Sequence, residues 1–483
     1  MSNPQSAIRN PQSYDAIVVG SGPNGLAAGI TLARAGRHVL ILEGHDTVGG
    51  GTRTTELTLP GFLHDICSAI HPLGVGSPFF RTLPLSRYGL RWIEPPAQVA
   101  HPLDDGTAVL LYRSVRDTAK GLGRDAPAYR LFIGSLARAW PQVERTVLGP
   151  IRFPRHPFAL ARFGLPALLP ASLLARIAFR GERARAFFGG LAAHSMLPLT
   201  DIASAAPGRV LGIFGHCYGW PLPVGGSQSL ANALAAHFRS LGGHIVTGHL
   251  VRSLDELPSA PSVLFDVSPR NLIELAGDQL PPGYKKQLGK FRYGPGVFKI
   301  DYALSGPVPW RARECSLAAT IHLGGTLSEI EQSERAVWKG VPSERPFVLA
   351  AQQSLFDGTR APAGSHTLWA YCHVPNGSTI DMTEPIEAQI ERFAPGFRDL
   401  ILSRHVMSPA DMQAYNPNYI GGDINGGAQD LRQLFTRPLP RLDPYSTPNP
   451  RLFLCSASTP PGGGVHGLCG YHAARSVLRK TKT

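Results

Sequence analysis

The chain has 483 residues, 43% hydrophobic and 17% charged, which supplies a large core and excludes global disorder. Its 53 glycines and 44 prolines follow no G-X-Y period, so a collagen-like chain is excluded and many tight turns are implied. Basic residues outnumber acidic ones 47 to 34, a net charge of +13 that admits nucleic acid, an anionic membrane or an acidic ligand as partner.

The first 13 residues are polar, without the apolar segment of a signal peptide, and read as a flexible tail. No run of about 18 apolar residues occurs, so no transmembrane helix is expected. Cysteines 67, 217, 315, 372, 455 and 469 form no CxxC pair and no zinc-ligand spacing. Neither a disulfide framework nor a metal centre is expected, and a reducing, cytoplasmic setting fits.

Residues 15–19 (DAIVV) have the short, β-branched pattern of a buried parallel strand. Gly20-Ser21-Gly22-Pro23-Asn24-Gly25 follows directly, then a helix over 23–35 closed by Gly36, then a strand over 38–42 ending at Glu43. This is the full context of a dinucleotide-binding fingerprint, with an acid 23 positions after the first glycine. Gly20 makes the tight turn, and Gly22 lets backbone approach a pyrophosphate held at the positive end of the helix. Gly25 permits close helix–strand packing. Glu43 can accept hydrogen bonds from a ribose diol and disfavours the 2′-phosphate of NADP. A second glycine cluster, Gly49-Gly50-Gly51-Thr52-Arg53, lies just beyond the acid. Glycine here lets the chain pass a long cofactor closely, with a basic group at hand, which favours FAD over NAD.

Residues 151–190 hold seven arginines and one glutamate among Phe, Leu, Ile and Ala, broken into short helices by Pro166 and Pro170. Basic plus apolar residues at helical spacing mark a membrane-surface segment. The alternative is a lid whose apolar face is core and whose arginines are solvated. Nucleic acid is not expected, because no recognition module accompanies the charge. Residues 242–254 read as strand–turn–strand and 261–270 as a further strand. The alternating stretches 297–304 (VFKIDYAL) and 366–374 (HTLWAYCHV) indicate an antiparallel sheet.

Near the C-terminus, residues 452–454 read as a short strand. Ser456 and Ala457 offer small side chains and amides beside a phosphate or ribityl chain. Gly462-Gly463-Gly464, followed by Val465 and His466, admits a bulky ring against the backbone. A helix over 467–480 follows, its basic residues toward the C-terminal end as the dipole favours. Its N-terminus would face the negative charge near N1 and the C2 carbonyl of a reduced flavin.

The run GGGTRTTELTLPGFLHDICSAIHPL (49–73) resembles the FAD-dependent phytoene desaturase superfamily, and within it the branch of pyridine nucleotide-disulfide oxidoreductase domain-containing protein 2. Residues 221–235 are similar to the family's Pro-x-Gly-Gly segment, residues 415–427 to a Gly-Gly-Asp segment of that branch, and residues 449–475 to the closing flavin motif. The resemblance implies a hydride-transferring flavoenzyme and places the backbone at Leu250-Val251 against the adenine.

No CxxxxC pair follows the first glycine motif, so disulfide-reductase chemistry is not expected. No dedicated NADPH domain is evident, which leaves a quinone, dioxygen or a loosely bound nicotinamide as electron acceptor. On the substrate side, His466 could orient substrate, relay a proton or contribute its backbone amide. Asp423 could be an acid/base group or a turn former. His71 and Tyr415 are weaker candidates.

These readings give an α/β protein with a discontinuous, Rossmann-like FAD-binding domain (14–80, 207–290 and 406–483). An α+β substrate domain would comprise a helical cap (81–206) and an antiparallel sheet (291–405). The expected function is FAD-dependent oxidation or reduction of a hydrophobic, unsaturated small molecule in an apolar channel. An amine-oxidase-type flavoenzyme, or an FAD-binding regulatory protein with little turnover, are the alternatives.

Overall fold

A computed structural model describes residues 13–481. Apart from Ser13, the tail expected over 1–13 lies outside the described residues.

The chain begins with β1 (Ala16–Val19), α1 (Pro23–Ala33) and β2 (Val39–Leu42). It returns to the same sheet with β3 (His244–Val246), β4 (Ser262–Phe265) and β5 (Leu452–Leu454). The strand order is β5-β4-β1-β2-β3, and every pairing is parallel. All residues of β1, β2, β4 and β5 are buried, as parallel strands covered on both faces require. Pro23 sits at the start of α1, where its missing N–H costs nothing, and Gly36 closes the following turn at φ +75°. The last helix, α2 (Leu468–Lys480), packs along α1. The two backbones approach so closely that a Cβ on Gly470 would stand 1.7 Å from the Asn24 carbonyl oxygen.

The reading of 242–254 as strand–turn–strand is half right. After β3 and a turn at Gly248 (φ +69°), residues 249–251 form no strand of the sheet. They continue past the end of β3 and run beside the end of β2, where the His249 N–H donates to the Glu43 carbonyl at 2.8 Å.

The second sheet has seven strands, in the order 401–407, 296–304, 366–374, 348–351, 318–323, 97–102 and 108–111. The two strands foreseen over 297–304 and 366–374 pair antiparallel, from Gly296↔Val374 to Leu304↔His366. Strands 97–102 and 108–111 come from the segment read as a helical cap, and 97–102 joins 318–323 in parallel. The helices Pro157–Ala167, Ala171–Ala178 and Glu182–Ala193 follow in that segment. Among the described residues, no single helix is long and apolar enough to cross a membrane.

Gly470→Ala would force α2 off α1 and is expected to lower stability by at least about 2 kcal/mol in urea unfolding. Gly283→Ala, on an exposed helix with open space around it, is the control, and is expected to be neutral or stabilising by up to about 1 kcal/mol. Equal effects from the two would refute the close-approach argument.

Candidate functional site

A continuous cavity of about 1240 Å³ runs from the C-terminal ends of the parallel strands to the inner face of the seven-stranded sheet. Its position is the one that parallel α/β folds reserve for ligands.

At one end stands the loop after β1. A Cβ on Gly25 would meet the Gly20 carbonyl oxygen at 2.1 Å, and one on Gly22 would meet Asp266 Oδ2 at 2.8 Å. Gly20 itself has φ +100°. The loop is tied to the end of β2 by Glu43. Its Oε2 accepts from the Ser21 N–H (2.9 Å) and hydroxyl (2.6 Å), and its Oε1 accepts from the His45 N–H and Arg53 Nη2, both at 3.0 Å. Glu43 therefore organises the loop as well as facing the cavity, and a ribose diol would displace the rotatable Ser21 hydroxyl.

Arg53 is equally committed. It donates to the Thr47 and Gly50 carbonyls and lies 3.3 Å from the Tyr415 hydroxyl, which donates to the Gly50 carbonyl at 2.7 Å. Thr52 closes the turn by donating to the Gly49 carbonyl at 2.8 Å. Gly50 and Gly22 lie back to back, since a Cβ on Gly50 would be 3.1 Å from the Gly22 Cα. The two glycine clusters, 200 residues from Val251 and 400 from Ser456, thus converge on one cavity: Gly20, Ser21, Gly22, Pro23, Asn24, Glu43, Gly50, Thr52, Arg53, Val251, Ser456, Ala457, Gly464, Val465 and His466 all line it. Gly25 and Gly49 stand just behind, as packing positions.

Both candidates for acid/base chemistry are bonded to backbone groups. Asp423 is fully buried but does not line the cavity. Its carboxylate accepts the N–H groups of Gly294, Asn425 and Gly427, each at 2.8 Å, and so builds the turn that lays Gly426 against Ala457. This is the turn-forming alternative. His466 lines the cavity, but both ring nitrogens are engaged. Nδ1 accepts from the Leu468 N–H at 3.0 Å, and Nε2 donates to the Gly462 carbonyl at 3.2 Å. Burial lowers its pKa to about 4, so the ring is a neutral clamp that fixes the 462–468 turn ahead of α2. His71 is also neutral, lowered to about 4 by burial, and is bonded to Ser227 Oγ at 2.8 Å.

The far end of the cavity is apolar. Leu160, Phe163, Ala167 and Leu168 reach it from the helical cap, and Leu349, Trp369 and Tyr371 from the sheet. Trp369 and Tyr371 meet edge to face with ring centroids 4.9 Å apart. His194, whose Nε2 lies 3.0 Å from His322 Nε2, adds a neutral polar group, its pKa lowered to about 3 by burial. None of these was singled out from the sequence, although Trp369 and Tyr371 are two apart in a recognised strand and so share a face. Asp266 was missed as well; an acid at the C-terminal end of a parallel strand was the available signal.

Comparisons with known proteins agree with this architecture. Residues 18–83 match the NAD(P)-binding Rossmann-like domain family. Pyridine nucleotide-disulfide oxidoreductase domain-containing protein 2 of Rattus norvegicus is 26% identical, across 97% of this chain and 94% of that protein. An oxidoreductase from Methanosarcina mazei superposes with a TM-score of 0.63 at 16% identity, covering 96% of this chain and 99% of the other. Putrescine oxidase bound to putrescine gives 0.62 at 18% identity, covering 98% and 99%. The chain has the Rossmann-like dinucleotide-binding fold of oxidoreductases, and the site fits a flavin or nicotinamide dinucleotide.

Removing one member of the buried Glu43–Arg53 pair strands the other charge. Arg53→Met is expected to cost about 3–5 kcal/mol in urea unfolding. A loss below about 1 kcal/mol would show that the pair does not hold the loop.

Proposed function

We propose that the chain is an FAD-dependent oxidoreductase exchanging a hydride with carbon in a lipophilic, unsaturated substrate of isoprenoid or acyl type, in the manner of the phytoene desaturase-like flavoproteins. The observation that carries this reading is the continuity of the cavity: its glycine-lined end opens into an apolar end of the same chamber. Its volume exceeds the roughly 300–1,000 Å³ of a single-ligand pocket.

The residues present fit FAD. The cradle is made where side chains are absent, at Gly22, Gly50 and Gly464, and a Cβ on the last would meet Leu73 at 2.5 Å. Bound FAD supplies a hydride acceptor or donor at N5. The chain's own part is to hold it between the loops at 20–24 and 463–466, to keep the substrate carbon against it, and to exclude water with the cap. Desaturation would also release a proton from the neighbouring carbon; the allylic cation left by hydride loss is acidic enough to give it to water or to a weak base such as a neutral imidazole, so no strong base is required of this site.

An amine substrate fits less well. The carboxylates that line the cavity, Glu43, Asp266 and Glu274, all come from the β2 and β4 side. None stands among the apolar residues to meet an ammonium group, and the Trp369–Tyr371 pair is edge to face rather than an open cage.

The substrate's route follows from the outer surface of the cap. Phe153 and Phe158 are 95% and 90% exposed, and Ile151, Leu165 and Ile177 of the same segment are exposed as well. Arg152, Arg155 and Arg162 are exposed in the same stretch, and Ile151, Arg152 and Leu160 also line the cavity. Such a face suits an anionic bilayer surface, each basic residue adding about 1 kcal/mol. A quinone, dioxygen or nicotinamide would serve as the partner in electron exchange.

Purified protein is expected to show the visible bands of an oxidised flavin and to release FAD, identified by chromatography, on heating. A nicotinamide dinucleotide in place of FAD would overturn the flavin assignment. In co-sedimentation at low salt, the protein is expected to follow vesicles containing phosphatidylglycerol, and Phe153→Ser with Phe158→Ser to stay in solution. Equal behaviour of the two proteins would remove the membrane route.

A further inference from the structure

We infer that Asp266 is a cofactor-binding residue that enters the nucleotide site as an un-ionised carboxyl group and donates a hydrogen bond to the cofactor's pyrophosphate. The inference rests on the flavin reading above and adds a proton to it.

Asp266 is the first residue after β4, and its N–H donates to the Val19 carbonyl at 2.8 Å. That bond sets its side chain against the loop after β1. Oδ2 accepts the Gly25 N–H at 2.8 Å, close to the start of α1. Oδ2 stands 2.8 Å from where a Cβ on Gly22 would be, and the Asp266 backbone carbonyl and Cβ crowd the same position at Gly20. Asp266 lines the cavity between Gly20, Gly22 and Ser456, and Oδ1 makes no hydrogen bond within the described residues. The one carboxyl oxygen left free therefore stands at the loop that would wrap the pyrophosphate.

The surrounding charges disfavour ionisation. The Glu43 carboxylate lies on the β2 side, and Arg53 is paired with Glu43 rather than with Asp266. Cys455 and Cys469, from β5's end and α2, lie behind with raised pKa values and bring no positive charge. No lysine, arginine or histidine among the described residues forms an ion pair with Asp266. A carboxylate here would confront the two negative charges of a pyrophosphate at hydrogen-bond range. A proton on Oδ1 converts that repulsion into a hydrogen bond while Oδ2 keeps the Gly25 N–H.

The proton is available. Burial, and then Glu43, raise the Asp266 pKa to about 7, against the lowering effect of the Gly25 N–H. The sign follows by linkage. Below about pH 7 the site is already protonated and affinity is flat. Above it, binding must take up one proton, so affinity falls roughly tenfold per pH unit until the pKa of the bound form is passed. Asn at this position imitates the protonated form, since its carbonyl can accept from Gly25 and its amide can donate to phosphate.

The test is FAD affinity of apoprotein, wild type and Asp266→Asn, by quenching of FAD fluorescence from about pH 6 to pH 9. Titration calorimetry of the wild type in two buffers of different ionisation enthalpy counts the protons. The expected result is wild-type affinity that is constant at low pH and falls roughly tenfold per unit above about pH 7, with one proton taken up there. Asp266→Asn should be flat and bind more tightly than wild type at the alkaline end. A flat wild-type profile without proton uptake, or an Asp266→Asn profile parallel to wild type, would overturn the inference and leave the flavin reading standing. FAD binding to neither protein at any pH would overturn both.

Discussion

The site depends on how closely separate stretches of backbone approach one another around the start of α1. Gly25 touches the Gly20 carbonyl, Gly50 backs onto Gly22, and Gly470 brings α2 against Asn24. The first and last are closer than any side chain allows, and the second is tighter than most. Together they draw the two ends of the chain to one point, and the cavity is what remains between them. Electrostatics then fixes the shape: the Glu43–Arg53 pair is buried, and its spare hydrogen-bonding capacity is consumed by the loops on either side.

The same packing explains why polar side chains near the cavity are structural rather than reactive. Asp423 and His466 bind backbone groups and hold the turns that carry Gly426 and Gly464. In a low-dielectric interior an unpaired polar group is costly, so turns of this kind recruit short acids and imidazoles as internal caps. The chamber's lining is mostly apolar, and of its polar side chains Glu43, Arg53, His71 and His466 are engaged within the fold. A chamber of that character suits chemistry supplied by a bound cofactor more than by side chains.

Much of the nucleotide end was legible in the sequence, because local signals carry it. A parallel strand, a glycine turn and an acid are contiguous in 15–43, and the C-terminal strand and helix lie where their patterns place them. The resemblance at both ends added the C-terminal half of the site, which no local rule links to the first. Other features depended on tertiary context. Residues 249–251 have strand-like composition but follow the turn at Gly248 past the end of the sheet and join no strand of it. Strand 97–102 pairs with a strand more than 200 residues away, 108–111 pairs with 97–102, and the segment's later helices hid both. Asp423 and His466 looked like chemistry because a sequence shows the functional group and not the backbone amides that occupy it. Asp266 read as an interior residue of a strand over 261–270, whereas the strand ends at Phe265 and the meaning of Asp266 arises only where β4 meets the loop after β1.

A crystal structure of the protein grown with FAD tests the central claim most directly. The account places the pyrophosphate against residues 20–24, the adenine beside Val251 and the flavin ring against Gly463–Gly464, with the apolar chamber open in front of it. Nucleotide bound outside this cavity, or a ring that turns away from the 462–468 turn, would contradict it.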